Sequence, residues 1–317
     1  MAIYLTEQDV EQLIDMPLAV NAVEAAHLAL ARGEAIDIPR NRVRAGIGTQ
    51  HLLQAGWAAR GATGFKVYTV AGGKARFWLH LYDIATGLPM AVIEADLLGM
   101  MRTGATGGVA ARRLARSDAR IAGIIGAGWQ ARGQLLALAH VCQLERVLVF
   151  ARNAERLAAF CHDMSAQTGL AVEPADSAQA LASLADIVVT ATTSSKPVLE
   201  GAWLREGTHV NAMGSNSLAR REIDEVLVNR ADLICVDAVD TALKEAGDLL
   251  PSLEKGRLSP GRLIELGDLV AGFRSGRTAA QQITLFESQG MGIQDLSLGL
   301  DLLERARAAG LGWNLPY

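Results

Sequence analysis

The stretch IAGIIGAGWQARGQLLAL, residues 121–138, decides how this chain is read. A short apolar run, IAGII, leads straight into Gly126-x-Gly128-x-x-Ala131, and a helical pattern follows at once. Each small residue has a physical purpose. Gly126 permits a tight turn, and Gly128 lets a pyrophosphate approach the backbone. Ala131 keeps helix and strand close, and the helix N-terminus faces the phosphates. A bare glycine pattern is weak; strand, loop and helix in this order imply dinucleotide binding.

Downstream the rhythm is strand–helix alternation. RVLVFAR leads into NAERLAAFCHDMSAQTG, and ADIVVTAT, THVNAMG and DLICVD follow. That alternation implies a parallel sheet covered on both faces, an α/β, Rossmann-type doubly wound domain over residues 118–289. The second strand ends at Ala151, followed by Arg152 and Asn153. An NAD site usually carries an acid here for the ribose 2′-hydroxyl, whereas a 2′-phosphate prefers an arginine. Arg152 therefore favours NADP(H) and leaves NAD(H) open; read blandly, it is a solvated loop cation.

Upstream the pattern differs. LTEQDVEQLIDMPLAVNAVEAAHLALARGEAI has helical periodicity through Leu18, Val23, Ala26 and Leu30, with Gly33 as a stop. RNRVRA, QHLLQAGW, TGFKVYTV, ARFWLHLYD and PMAVIEAD then read as strands of an antiparallel sheet joined by short turns. A helix follows in LLGMMRTGATGGVAARRLAR, and a last amphipathic helix in GMGIQDLSLGLDLLERARAAG. The last helix is expected to pack back onto the N-terminal part. The expectation is a split first domain, residues 1–117 with 290–317.

Composition sets the outer bounds. Among the 317 residues, 50% hydrophobic and 20% charged is ordinary for a globular chain. A net charge of −4, without a basic block, argues against nucleic acid as a partner. No apolar run approaches the roughly 18 residues of a membrane span, and MAIYLTEQDVEQL lacks the basic start and apolar core of a signal peptide. Cys142, Cys161 and Cys235 are too scattered for a disulfide framework or a zinc site, so no metal is expected. A cytoplasmic location is the expectation.

Several polar residues invite a role. Lys66 sits among strand residues, on the face opposite Phe65 and Val67. It is either a solvated edge residue, a cation for a carboxylate, or an acid–base group tuned by burial. Arg102, at the start of a helix, suits a carboxylate by its fork geometry or pairs with a nearby acid. Small residues at 103–108 allow another backbone or a ligand to come close. Arg40 and Arg42 are further candidates. VNAMGSNSLARREID, residues 210–224, leaves an apolar strand for the small polar cluster Gly214, Ser215 and Asn216, as a strand does where it meets a cleft.

Together, GFKVYT around Lys66, MRTGATGGVAARRLAR, IIGAGWQARGQ, VNAMGSNS and ITLFESQGMGIQDL resemble the ornithine cyclodeaminase/μ-crystallin family over nearly the whole chain and in the same order. The resemblance implies an N-terminal α/β substrate and dimerisation domain completed by the C-terminal helix, a Rossmann domain, and a homodimer. It places Arg42, chosen over Arg40 by its spacing, with Lys66 and Arg102 around a substrate carboxylate and its reacting nitrogen. Trp129 and Gln130 would meet the pyrophosphate. Thr192 and Met213–Asn216, Gly214 included, would border the nicotinamide; Arg220 and Ser288 match further cofactor positions. Trp57, Phe77 or Trp78 would wall the pocket.

Two departures from the family matter. Where its NAD-using cyclodeaminases carry an Asp at the end of the second Rossmann strand, this chain has Ala151. Where they carry an acid–base Asp in a Gly-Gly-Asp turn, this chain has Gly214-Ser215-Asn216. An amide has no titrating proton near neutral pH, so Asn216 cannot be a general base. The expected activity is therefore NAD(P)H-dependent reduction of a cyclic or linear 2-imino acid, with Lys66 and Asn216 at the reacting centre. Ornithine cyclodeamination and low-turnover ligand binding are the alternatives.

Overall fold

In the computed structural model, which describes residues 1–46 and 48–316, the chain begins β1 (Ile3–Leu5), α1 (Glu7–Leu13), α2 (Met16–Ala31), β2 (Ala35–Ala45), β3 (Gly48–Trp57), β4 (Ala62–Ala71), β5 (Lys74–Asp83), β6 (Pro89–Glu94) and α3 (Asp96–Leu114). It continues through β7 (Ile121–Ile125), α4 (Trp129–Val141), β8 (Arg146–Phe150), α5 (Ala154–Thr168), β9 (Ala171–Pro174), α6 (Ala178–Leu184), β10 (Ile187–Thr190) and β11 (His209–Ala212). Last come α7 (Glu225–Arg230), β12 (Leu233–Val236), α8 (Val239–Glu245), α9 (Leu250–Glu254), β13 (Leu263–Glu265), α10 (Leu266–Ala271), β14 (Thr284–Glu287), α11 (Gly292–Ala309) and β15 (Trp313–Asn314).

Contacts divide the chain into two units, Met1–Arg102 with Met291 onward, and Thr103–Gly290. The first boundary falls inside α3, not at residue 117. The cause is the small-residue run. A Cβ on Gly104 would lie 2.1 Å from the carbonyl oxygen of Gly133, so the later turns of α3 pack backbone to backbone on α4. The close approach that residues 103–108 permit is thus to another helix.

The first unit holds a seven-stranded sheet in the order β15-β1-β6-β5-β4-β3-β2. Strands β2 to β6 pair antiparallel, while β1 joins β6 in parallel. Helix α11 packs on α2 and across β2, β3, β4 and β5. Val20, Val23 and Ala26 of α2 and Leu296, Leu300 and Leu303 of α11 are buried with Leu53, Leu79, Leu81 and Ile93 of the sheet. Each such leucine contributes about 1.5–3 kcal/mol of burial. The N-terminal helical stretch is two helices, not one, and they bend by 91° at the break. Asp15 restarts the helix by accepting from the Leu18 amide, and Pro17 fits its first turn. Gly33, at φ 70°, lies just past the end of α2. Among the described residues no single helix is long and apolar enough to cross a membrane.

The second unit is an eight-stranded sheet in the order β13-β12-β14-β11-β10-β7-β8-β9, every pair parallel. After β7 the chain goes to β8 and β9 on one side, then returns to β10 on the other. The carboxyl ends of β7 and β10 therefore form the topological switch point, where open α/β sheets bind ligands.

Candidate active site

The dinucleotide loop lies at that switch point. Gly126 has φ 121°, a conformation side chains avoid. A Cβ there would fall 2.4 Å from the Ala191 carbonyl oxygen, just past β10. Gly128 is the N-cap of α4 in an extended conformation, and a Cβ on it would meet nothing within 4 Å. No side chain caps this helix, so its first-turn amides keep their donors for a ligand. The Oε1 of Gln130 is buried there without a hydrogen-bond partner among the described residues, and Trp129 is 45% exposed. Ala131 is fully buried against the strand. An open cradle, unspent amides and an orphaned acceptor fit a dinucleotide.

At the end of β8, Ala151 is half-buried and Arg152 exposed. Asn153 has a local duty, since its side-chain oxygen accepts from the Arg156 amide and caps α5. Past β10 and β11, Thr192 and Gly214 are half-buried and Met213 is buried. Asn216 is half-buried in the same loop, and Arg220 is exposed. The Ser288 hydroxyl donates to Asp237 at 2.8 Å and is buried. One residue here was missed from the sequence. Glu222 is fully buried and accepts from Thr190, Thr192 and Gly214.

The first unit gathers the substrate candidates. Lys66 on β4 is 2% exposed, so it is no solvated edge residue. Its Nζ lies 2.7 Å from both carboxylate oxygens of Asp295 on α11. Arg102 donates from Nε to the same carboxylate at 3.1 Å and from a terminal nitrogen to Gln294 Oε1 at 2.9 Å. Burial pushes the Lys66 ammonium down to about 7, and the neighbouring Arg102 charge adds to this; Asp295 opposes both. Asp295 and Gln294 were not singled out in the sequence. Their signal was a polar pair, Gln294-Asp295, inside an apolar helix pattern, and both are fully buried. A buried carboxylate must be paired.

Strand register bears on two of the expectations. Of the β2 arginines, Arg40 is buried and its charge acts on Lys66. Arg42, the choice from spacing, is half-buried and stands opposite His51. With Arg40 and Arg44 it adds to the burial that lowers the His51 imidazole to about 4. A bulge between Ile38 and Asn41 shifts the register, which a residue count cannot foresee. Among the expected wall residues, Trp78 pairs with Val67, so it lies on the sheet face opposite Lys66. Phe77 pairs with Tyr68, on the Lys66 face, 4.9 Å from its ring.

Residues 2–310 match the profile of the Ornithine cyclodeaminase/mu-crystallin family. The chain belongs to this family. Among solved structures of similar fold is the Delta(1)-pyrroline-2-carboxylate reductase of Thermococcus litoralis in complex with NADH and L-proline. It is 34% identical with a TM-score of 0.95, covering 99% of this chain and 100% of its own. An archaeal alanine dehydrogenase dimer with bound NAD is 30% identical, TM-score 0.93, covering 100% and 99%. The iminosuccinate reductase of Paracoccus denitrificans in complex with NAD+ is 28% identical, TM-score 0.94, covering 100% and 99%.

Proposed function

We propose that this member of the family is an NAD(P)H-dependent reductase of cyclic or linear 2-imino acids. The observation that carries the reading is the buried Lys66, paired with Asp295, beside Arg102 and lowered to about 7. A lysine at that value both holds and releases a proton near neutral pH, as a general acid–base group needs. Arg102 and Arg42, together with Arg40, supply fixed charge for the substrate carboxylate. Asp295 fixes the Lys66 ammonium and the Arg102 fork in place. In the second unit the loop at Gly126 and Gly128 and the head of α4 would hold the pyrophosphate. A reduced nicotinamide, when bound there, would supply the hydride chemistry of the reaction. Lys66 gives the proton that completes the amine. Asn216 orients the substrate nitrogen or a water and has no group that titrates near neutral pH.

The cofactor is read as NADP(H) in preference to NAD(H). Arg152 is exposed, has no ion pair among the described residues, and precedes the cap of α5. A 2′-phosphate there would meet both a guanidinium and a helix N-terminus. One experiment tests activity and cofactor together. NADPH and NADH are each mixed with Δ1-pyrroline-2-carboxylate, Δ1-piperideine-2-carboxylate and linear 2-imino acids, and reduced-cofactor absorbance is followed. Oxidation of the cofactor is the expected result. Proline and ammonia formed from ornithine, with no net cofactor change, would make the chain a cyclodeaminase instead. Arg152→Ala should raise the KM for NADPH about tenfold, the worth of one charged hydrogen bond, and leave that for NADH alone. Equal use of both cofactors, unchanged by the substitution, would remove the NADP preference.

The chain is also read as a homodimer, as the archaeal alanine dehydrogenase is a dimer. The sheet face of the first unit opposite Lys66 carries Phe65, Val67, Trp78, His80 and Tyr82, all half-buried. Phe65 stacks on His80 at 4.7 Å and on Tyr82 at 6.0 Å. A contiguous aromatic face of this kind suits a second copy. Light scattering should give twice the chain mass of 33.6 kDa; a single chain mass at working concentrations would refute it.

A further inference from the structure

Strands β10 and β11 run in register up to Thr190 and Ala212, and the Met213 amide extends the ladder to the Thr190 carbonyl at 2.9 Å. Beyond that the two loops separate from regular pairing, and the amides of Thr192 and Gly214 have no strand to donate to. One side chain takes both. Glu222 Oε1 accepts from the Thr192 amide at 2.5 Å, and Oε2 accepts from the Gly214 amide at 2.6 Å and the Thr190 hydroxyl at 2.8 Å. The loops are in contact at this point. A Cβ on Gly214 would lie 2.3 Å from the Thr192 carbonyl oxygen and 2.6 Å from the Glu222 carboxyl carbon.

Glu222 is itself held from behind. Its amide and that of Ile223 donate to Asp248 at 2.7 and 2.9 Å, and its carbonyl accepts from Val198 and Leu199 at 2.8 and 3.0 Å. The side chain has no exposure, and no cation is paired with it among the described residues. A buried carboxylate held by hydrogen bonds but with no cation beside it is costly for stability alone. Its three donors come from the carboxyl ends of two adjacent strands, the edge on which a doubly wound sheet binds its ligand.

We propose that Glu222 is a positioning residue for the nicotinamide end of the dinucleotide, joining the loops after β10 and β11 into one fixed ledge. The inference rests on the dinucleotide reading above. Glu222→Gln keeps the shape but offers one acceptor oxygen in place of two, so one loop amide loses its partner. Two ligands separate positioning from general stability: NADH, and ADP-ribose, which lacks the nicotinamide; NADPH and 2′-phospho-ADP-ribose serve likewise. Titration calorimetry should show NADH binding at least about tenfold weaker in Glu222→Gln, the loss of one hydrogen bond to a charged group. ADP-ribose should bind within twofold of wild type. Thr190→Val removes one donor from the carboxylate and should shift NADH in the same direction by a smaller factor, deciding the matter if Glu222→Gln does not fold. Equal weakening of both ligands, or of neither, would overturn the inference. Wild-type protein that binds neither ligand would defeat the dinucleotide reading as well. Wild type that binds both, with variants that behave identically, defeats this inference alone.

Discussion

Replacing Lys66 by methionine should lower kcat for imine reduction by about a thousandfold, within the range positioned acid–base groups supply, while NAD(P)H binding stays within a few-fold of wild type. Methionine fills similar volume but carries no proton. The removed cation leaves Asp295 with Arg102, so the carboxylate stays paired and the fold should survive with reduced stability. The pH dependence gives the sharper test. Lys66 titrates at about 7 against an ordinary 10.5. Reduction needs the ammonium, so kcat/KM should fall as pH rises through about 7. Oxidation of the amino acid needs the free amine, so kcat/KM should rise through the same value. Limbs of the same sign in both directions would exclude Lys66 as the proton carrier. For stability, the unfolded chain binds the extra proton between about 7 and 10.5. Stability should therefore rise with pH across that window, and Lys66→Met should abolish this rise.

What the sequence made legible follows the range of the interaction involved. The Gly126–Ala131 loop is local, with strand, turn and helix contiguous, so its fold and purpose could both be read. Lys66 and Arg102 could be named, but the carboxylate that sets their behaviour lies 229 and 193 residues away on α11. No periodicity joins a β4 lysine to a C-terminal helix. Arg40 and Arg42 sit two apart across a bulge before Asn41, and the register still leaves Arg42, through His51 and Tyr68, on the Lys66 face. Trp78 and Phe77 are neighbours, and strand register alone assigns them to opposite faces. Glu222 escaped notice because two of its three donors are backbone amides, which leave no mark in a sequence. Asn153 stands beside Arg152 as a cofactor position in the sequence, and the structure shows that its side chain also caps α5.

The pair Gly126→Ala and Gly128→Ala should separate the two jobs of the opening loop. Gly126 holds φ 121°, which costs any other residue about 1–3 kcal/mol in conformation alone. Its new methyl would also meet the Ala191 carbonyl oxygen at 2.4 Å. Neither side can retreat. The Gly126 amide is bonded to Phe150 and the Ala191 amide to Ile125, both at 2.9 Å, so the collision is locked between parallel strands. Gly126→Ala should therefore lower the melting temperature and weaken NAD(P)H binding more than a hundredfold. Gly128 is different. Its φ of −104° suits any residue, and its methyl would enter open space. As an N-cap, alanine there costs about 1 kcal/mol or less relative to glycine. Gly128→Ala should fold almost as wild type yet bind NAD(P)H at least about tenfold more weakly, because the methyl occupies the approach a pyrophosphate needs. Differential scanning fluorimetry and cofactor titration on both variants make the comparison. If Gly128→Ala binds NAD(P)H normally, the space above that residue is not the phosphate cradle, and the glycine pattern is a turn without a ligand. If it loses the cofactor while keeping its melting temperature, the two glycines are separated by physics: Gly126 is required by the fold, and Gly128 by what the fold holds.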